Sequence, residues 1–427
     1  MSEPVGPLLT DPAPRMAPVS KAERIEVIDI LRGWAIFGML FVNMADMPGK
    51  WPGTADRLTS NLIEVFASSK FYTLFSFLFG LGLVLQMRRA EARGAPFVPV
   101  YMRRLLILLL IGLAHFLLGE RDILMDYAVL GFLLLLFRTS SPRTLVVAAF
   151  LITSIFLVRG AVIEGLREQR LADPQTAQQA IRENAQRRAE RRAMREQARR
   201  VYARGSFGEI VAQSAHELVW RYSALDRRYV YSLGYVFPLF LLGLYAGRRR
   251  ILEDIPAHLP FIRKMMWWGL GLGLPANVVS VVRWELSNPA WPYLTSQLAD
   301  LLWAVGAPAL CFFYASAIIL LVQRRGWKER LAPLAAVGRM ALSNYLFHSL
   351  VFVFIFYSYG LGLYGKVGPL GGVALAVPIF AVQLPLSVWW MRRFRFGPAE
   401  WLWRTLTYGK LQPMRAPRSL SEPSTLR

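Results

Sequence analysis

Ionisable side chains set inside long apolar stretches are the residues of this chain whose chemistry needs explaining, because lipid offers a charge no partner. The segment LLILLLIGLAHFLLGERDILMDYAVLGF sets His115 one turn before the outer end of an apolar helix. Arg121 and Asp122 follow in a hairpin, and Asp126 lies one turn into the next helix. An imidazole exchanges protons near neutral pH, and a nearby carboxylate fixes its tautomer and raises its basicity. That outlines an acid/base pair; a hydrogen-bonded structural histidine in a helical hairpin is the alternative. In IDILRGWAIFGMLFVNM, Asp29 and Arg32 share a helical face at a spacing of three, with Asn43 three turns further along. The pair either anchors a helix start at the interface or serves a site, and Asn43 equally suits a hydrogen bond between helices. In VGRMALSNYLFHSLVFVF, Arg339 stands at a boundary, Asn344 and His348 fall at i and i+4, and Ser343 lies beside them. Such a face can line a polar cavity, although a lone histidine there also has a structural reading.

The elements that must hold these residues are membrane spans. The chain has 427 residues, of which 55% are hydrophobic and only 18% charged, below the share of about a quarter usual for soluble domains. Uncharged apolar stretches recur at close to the ~20 residues that cross a bilayer as a helix. They fall at roughly 29–46, 68–87, 101–119, 122–138, 143–162, 229–247, 264–282, 299–323, 333–358 and 370–391. The expected fold is therefore an all-α polytopic bundle of about ten transmembrane helices.

Short cytoplasmic loops accumulate Lys and Arg. With the N-terminus inside, those loops hold Arg88, Arg89 and Arg93; Arg138 and Arg143; Arg248 to Arg250; Arg324, Arg325, Lys328 and Arg330; and then Arg392, Arg393 and Arg395. The opposing short loops carry only Arg121, Arg283 and Lys366. Both termini are thus expected in the cytoplasm, with residues 1–23 and 413–427 as disordered tails. Residues 24–162 form a first membrane half and 229–412 a second. Between them, 163–228 is an extracytoplasmic loop with the basic run IRENAQRRAERRAMREQARRVYARG, read as a solvated helix or one in contact with headgroups. The stretch FGEIVAQSAHELVWRY after it is amphipathic and suits the interface plane.

The formal net charge of +22 sits between apolar stretches and at the ends, which fits anionic lipid and not nucleic acid. The single cysteine, Cys311, excludes an intramolecular disulfide, and no metal is predicted. His216 and His258 fall in connections. GxxxxGK[ST], HExxH, GxSxG and a strand-linked GxGxxG are all missing, so ATP-driven transport and zinc proteolysis lose their usual signatures.

Four blocks carry a resemblance: RIEVIDILRGWAIFGMLFVNM, KFYTLFSFLFGLGLVLQMRRA, RRLLILLLIGLAHFLLGERDILMDYAVLGFLLLLF and GRMALSNYLFHSL. Together, over roughly 24–412, they resemble the YeiB family of bacterial inner-membrane proteins, whose C-terminal half is domain of unknown function 418. The first block is also similar to heparan-alpha-glucosaminide N-acetyltransferase and the wider transmembrane acyltransferases. That likeness implies a multi-pass inner-membrane protein that transfers an acyl group from acyl-CoA as co-substrate. The animal enzyme's key histidine lies between its first two helices, whereas ADMPGKWPGTADRLTSNLIEVF has none here. His115, which matches a histidine of the YeiB-like hairpin block, takes its place, and the matching positions imply Asp29, Arg32, Asn43, Lys70 and Asp122 as pocket residues.

The expected catalytic residues are His115, as general base or acyl carrier, and Asp122, which orients it. Asp29, Arg32, Asn43, Lys70, Arg121, Arg339, Asn344 and His348 are the expected substrate-binding residues, with Arg32, Lys70 and Arg339 meeting CoA phosphates. The acceptor is an envelope glycan, lipid or other small molecule. Membrane lipids are partners, and a homodimer is admitted. A small-molecule or lipid transporter or flippase is the alternative, using the same polar groups as its path.

Overall fold

A computed structural model describes residues 25–46, 51, 53–119, 122–223, 232–286 and 293–415. The expected N-terminal tail lies outside these residues, as does 416–427. Helices account for nearly everything described. In chain order they are α1 (Glu26–Ala45), α2 (Thr54–Phe66), α3 (Lys70–Ala92), α4 (Phe97–Leu117), α5 (Leu124–Leu134), α6 (Pro142–Ala172), α7 (Pro174–Arg204) and α8 (Phe207–Ser223). Then follow α9 (Phe237–Arg248), α10 (Ile255–Glu285), α11 (Tyr293–Val322), α12 (Trp327–Arg339), α13 (Ala341–Phe356), α14 (Pro369–Arg393) and α15 (Pro398–Tyr408). The fold is the expected all-α membrane bundle. Seven described helices are long and apolar enough to cross a bilayer, and α12 with α13, bent by 73° at Met340, makes an eighth. Leu124–Phe137 and Leu233–Arg248 are apolar but shorter, and hold the places of the other two expected segments.

Local chemistry sets several boundaries. Ser141 caps α6 by accepting from the Thr144 amide at 3.2 Å, with Pro142 in the first turn. Asp173 ends α6 and caps α7, accepting from the Gln175 amide at 3.0 Å. The basic run therefore becomes a separate, largely exposed helix, laced by Arg187–Glu183 and Arg200–Glu196 pairs one turn apart. Its end is tied down: Tyr202 stacks on Tyr357 at 4.9 Å, and the Ser358 amide donates to the Tyr202 carbonyl at 3.0 Å.

The two ends of the bundle can be told apart by their contacts. At the near end, Lys328 pairs with Glu26 at 3.0 Å and Arg88 with Glu253 at 2.6 Å. There the Trp403 indole donates to the Arg104 carbonyl at 2.9 Å. At the far end, the Leu370 amide donates to Asp56 at 2.9 Å, Arg57 pairs with Glu285 at 2.6 Å, and the Tyr357 hydroxyl donates to the Gly119 carbonyl. Residues 413–415, expected in a tail, turn back at the near end, where the Arg395 amide donates to the Met414 carbonyl at 2.9 Å.

Apolar side chains gain little by leaving lipid for one another, so membrane helices associate where small residues let backbones touch. A Cβ on Gly33 would overlap the Leu334 carbonyl, and one on Gly338 the Asp29 carbonyl, which locks α1 against α12. Gly80 against Phe240 and Gly243 against Phe77 do the same for α3 and α9. Gly338→Val should therefore cost on the order of 2 kcal/mol by overpacking. The measurement is thermal unfolding of the detergent-solubilised protein, with Gly271→Ala, where a Cβ meets nothing within 4 Å, expected to stay near wild type.

Candidate active site

One cavity of about 1080 Å³, including its open mouth, lies where α1, α3, α4, α5, α12, α13 and α15 converge. Its wall has a polarity gradient that the helix register explains. Along α1 the lining runs Arg32, Ile36, Met39; along α3, from near to far, Gln86, Gly82, Phe79, Phe75; along α4, Tyr101, Arg104, Leu108. Successive turns of each helix pass from cationic or polar to apolar in the same direction. Arg339 from the end of α12 and Arg404 from α15 bring the guanidinium groups to four, all in the near half. Arg104 lies over the Trp403 ring at 3.6 Å, which holds it in place.

At the deep end stand Ile123, Leu124, Tyr127 and Tyr345. Behind them is the pair expected from the hairpin. The His115 Nδ1 lies 2.9 Å from Asp122 Oδ1, both side chains buried, and Asp122 Oδ2 accepts from the Met125 amide at 2.7 Å. Asp122 thus caps α5 with one oxygen and orients the imidazole with the other. Gly112 makes this possible, since a Cβ there would sit 2.8 Å from Asp122 Oδ2. With Nδ1–H donating to the carboxylate, Nε2 presents a lone pair. Nε2 is buried and has no hydrogen-bond partner among the described residues. Tyr345 joins the two parts of the site: it lines the cavity, and its ring lies 5.2 Å from the imidazole.

The break between α12 and α13 would leave amides unpaired inside the bundle. Glu400, reaching in from α15, accepts from the Leu342 amide at 2.7 Å, the Ser343 amide at 3.1 Å and the Ser343 hydroxyl. Burial pushes its carboxyl above the usual carboxylate range, against the opposing pull of those hydrogen bonds.

Of the residues expected in the site, His115 and Asp122 come together, and Arg32 and Arg339 line the cavity. Asp29 lies at its edge, 3.5 Å from Arg32. Lys70 opens α3 at the far end, buried, donating to the Glu64 carbonyl at 2.6 Å, so it does not join the near-end arginines. Asn43, near the far end of α1, is not among the lining residues. Asn344 and His348 turn towards α14 and away from the cavity. The Asn344 amide donates to the Val337 carbonyl at 3.0 Å and to Ser387 at 3.3 Å, and His348 Nε2 meets Gln383 Oε1 at 2.8 Å. Arg121 lies outside the described residues. Sequence reasoning missed Arg104, Glu400, Trp403 and Arg404. The last three carry a legible helix start, Gly397 and Pro398 with an acid in the first turn, but nothing local says which wall that helix forms.

A multi-pass helix bundle with an arginine-mouthed cavity and a buried His–Asp pair is the class that fold and site define. Residues 246–410 match the family described as "Protein of unknown function (DUF418)", and residues 24–166 match "Heparan-alpha-glucosaminide N-acetyltransferase, catalytic". The chain is 38% identical over 426 residues to the "Uncharacterized protein YxaH" of Bacillus subtilis (strain 168), covering 93% of this chain and 98% of that one. It is 28% identical over 404 residues to the "Uncharacterized protein YeiB" of Escherichia coli (strain K12), covering 90% and 96%. The chain belongs to this YeiB-like, DUF418-containing family of membrane proteins. Its first third, which contributes His115, Asp122 and Arg32, is similar to the catalytic region of a transmembrane acetyltransferase.

Replacing Glu400 with Ala leaves the Leu342 and Ser343 amides without their acceptor and should cost about 1–3 kcal/mol. A carboxyl whose folded pKa is raised stabilises most below its unfolded value near 4.3 and loses that contribution as pH rises through the raised value. Glu400→Gln, which keeps the acceptor and removes the charge, should therefore flatten the fall of unfolding temperature with rising pH, measured by thermal unfolding across that range.

Proposed function

We propose that the chain is an integral-membrane acyltransferase that moves an acyl group from acyl-CoA to a hydroxyl or amine of an envelope glycan or lipid. The observation that carries this reading is the His115–Asp122 pair, with its unpartnered Nε2, behind the deep wall of a cavity whose mouth holds Arg32, Arg104, Arg339 and Arg404. Guanidinium groups suit phosphates, which they bind in a bidentate fork. Reach supports the assignment. Along α4, Arg104 and His115 are eleven residues apart, or roughly 16 Å of helix. The roughly thirteen bonds from the nearer CoA phosphorus to its sulfur span about 16 Å when extended, at about 1.2 Å per bond. Phosphates held at the mouth set the thioester near the depth of the imidazole, with Tyr345 lining the cavity beside it.

In this mechanism Nε2 takes the proton of the acceptor O–H or N–H as that atom attacks the thioester carbonyl. The new C–O or C–N bond forms, the C–S bond breaks, and the CoA thiolate takes the proton back from the imidazolium. Asp122 keeps the tautomer and stabilises the transient cation. The near end, rich in arginine, faces the cytoplasm of the bacterial inner membrane, where acyl-CoA is made, and α7 and α8 lie outside.

Translocation is the second reading, and the break at Met340 is what favours it: transporters use interrupted helices whose exposed ends meet substrate near the midplane. Thermal stability with acetyl-CoA, free CoA and ATP separates the two. Acetyl-CoA should stabilise in a concentration-dependent way, by about 2.7 kcal/mol at a hundredfold excess over Kd, with the effect lost in Arg32→Ala and kept in His115→Ala. If no CoA species stabilises the protein, the acyltransferase reading fails and translocation takes its place.

A further inference from the structure

One face of helix α15 lines the cavity, and its opposite face is exposed, with no partner among the described residues. Glu400, Trp403 and Arg404 point inwards, and Thr407 is buried with them. Leu402 and Leu406, one turn apart on the other side, are 47% and 43% exposed, and Leu411 beyond the helix is 77% exposed. An eleven-residue helix with one polar, cavity-lining face and one exposed leucine stripe is amphipathic in the reverse sense to a helix packed on an apolar core.

Its position says what meets that stripe. The spanning helix α14 ends at Arg393, and α15 starts five residues later, so the chain is still at the membrane boundary when it turns. Trp389 and Trp390 mark that boundary, with Arg393 over Trp389 at 4.5 Å. The Trp403 bond to the Arg104 carbonyl lays α15 against the turn of α4 whose outer side carries the exposed Met102 and Leu106, a lipid-facing surface. Arg392, Arg393, Arg395, Lys410 and Arg415 are exposed around the same edge. Leucines aimed at lipid within a ring of cations describe a helix seated in the interface of a bilayer with anionic headgroups.

We propose that α15 is an anionic-lipid-binding surface helix and that its seating in the headgroup layer sets the geometry of the cavity mouth. The link is mechanical: the helix that touches lipid through Leu402 and Leu406 carries Glu400, which caps the broken helix, and Trp403 and Arg404, which line the mouth. This inference does not depend on which ligand the cavity takes.

The test is hydrogen exchange on the full-length protein in nanodiscs of phosphatidylcholine with and without phosphatidylglycerol. Amides of residues 398–408 should exchange roughly tenfold more slowly in the anionic discs, with α14 amides unchanged as the internal reference. The Leu402→Asn, Leu406→Asn double variant should lose that protection, and Arg392→Gln with Lys410→Gln should lose its dependence on lipid charge. Equal exchange of the wild-type helix in both discs would overturn the proposal without need of any variant. Acetyl-CoA stabilisation measured in the same discs reads the proposed function separately, since α15 can respond to lipid whether or not CoA binds.

Discussion

Backbone amides inside a membrane protein must find an acceptor, and the interruption at Met340 makes that requirement acute. Glu400 meets it for the amides of Leu342 and Ser343, and the Asn344 side chain meets the Val337 carbonyl on the other side of the break. Once both halves are satisfied, a bend of 73° is stable where a continuous helix would otherwise be expected. The site follows from the bend. It ends α12 with Arg339 at the cavity and starts α13 so that Tyr345 faces the deep wall.

The bend would have no fixed position without the close approach of α12 to α1. Gly33 and Gly338 bring two backbones to a distance that no side chain permits, and the contact brings Arg32 and Arg339, the residues beside them, to one mouth. Two like charges at such a mouth repel, which Asp29, 3.5 Å from Arg32, offsets for that residue. What remains is a positive mouth over an apolar interior. The buried pair at the bottom has the opposite character: its carboxylate is committed to the imidazole and to the α5 amide, and Nε2 alone has no hydrogen-bond partner among the described residues.

Polar groups within the bundle divide into those that hold helices together and those that face space. Asn344, His348, Gln383 and Ser387 form a ladder between α13 and α14, two residues from each helix at a spacing of four. Sequence periodicity puts Asn344 and His348 on one face but cannot say whether that face meets a cavity or a neighbouring helix carrying the same spacing. Lys70 illustrates the same limit in depth. Its charge suits a phosphate, yet it sits at the start of α3, far from the end of that helix where Gln86 lines the mouth.

Hydropathy by itself determined the helical membrane fold, because apolar runs of membrane-spanning length have no other way to satisfy their backbone in lipid. The spacing of His115, Asp122 and Asp126 between two apolar runs put a carboxylate within reach of the imidazole, and the fold pairs it with Asp122. Tertiary structure decided the rest. Arg104 is separated by some three hundred residues of chain from Glu400 and Arg404, and they share a cavity only because α15 folds back against α4. The pairing of helices that brings them together depends on glycine contacts and buried hydrogen bonds between distant segments, and such contacts leave no period in a linear sequence from which to read them.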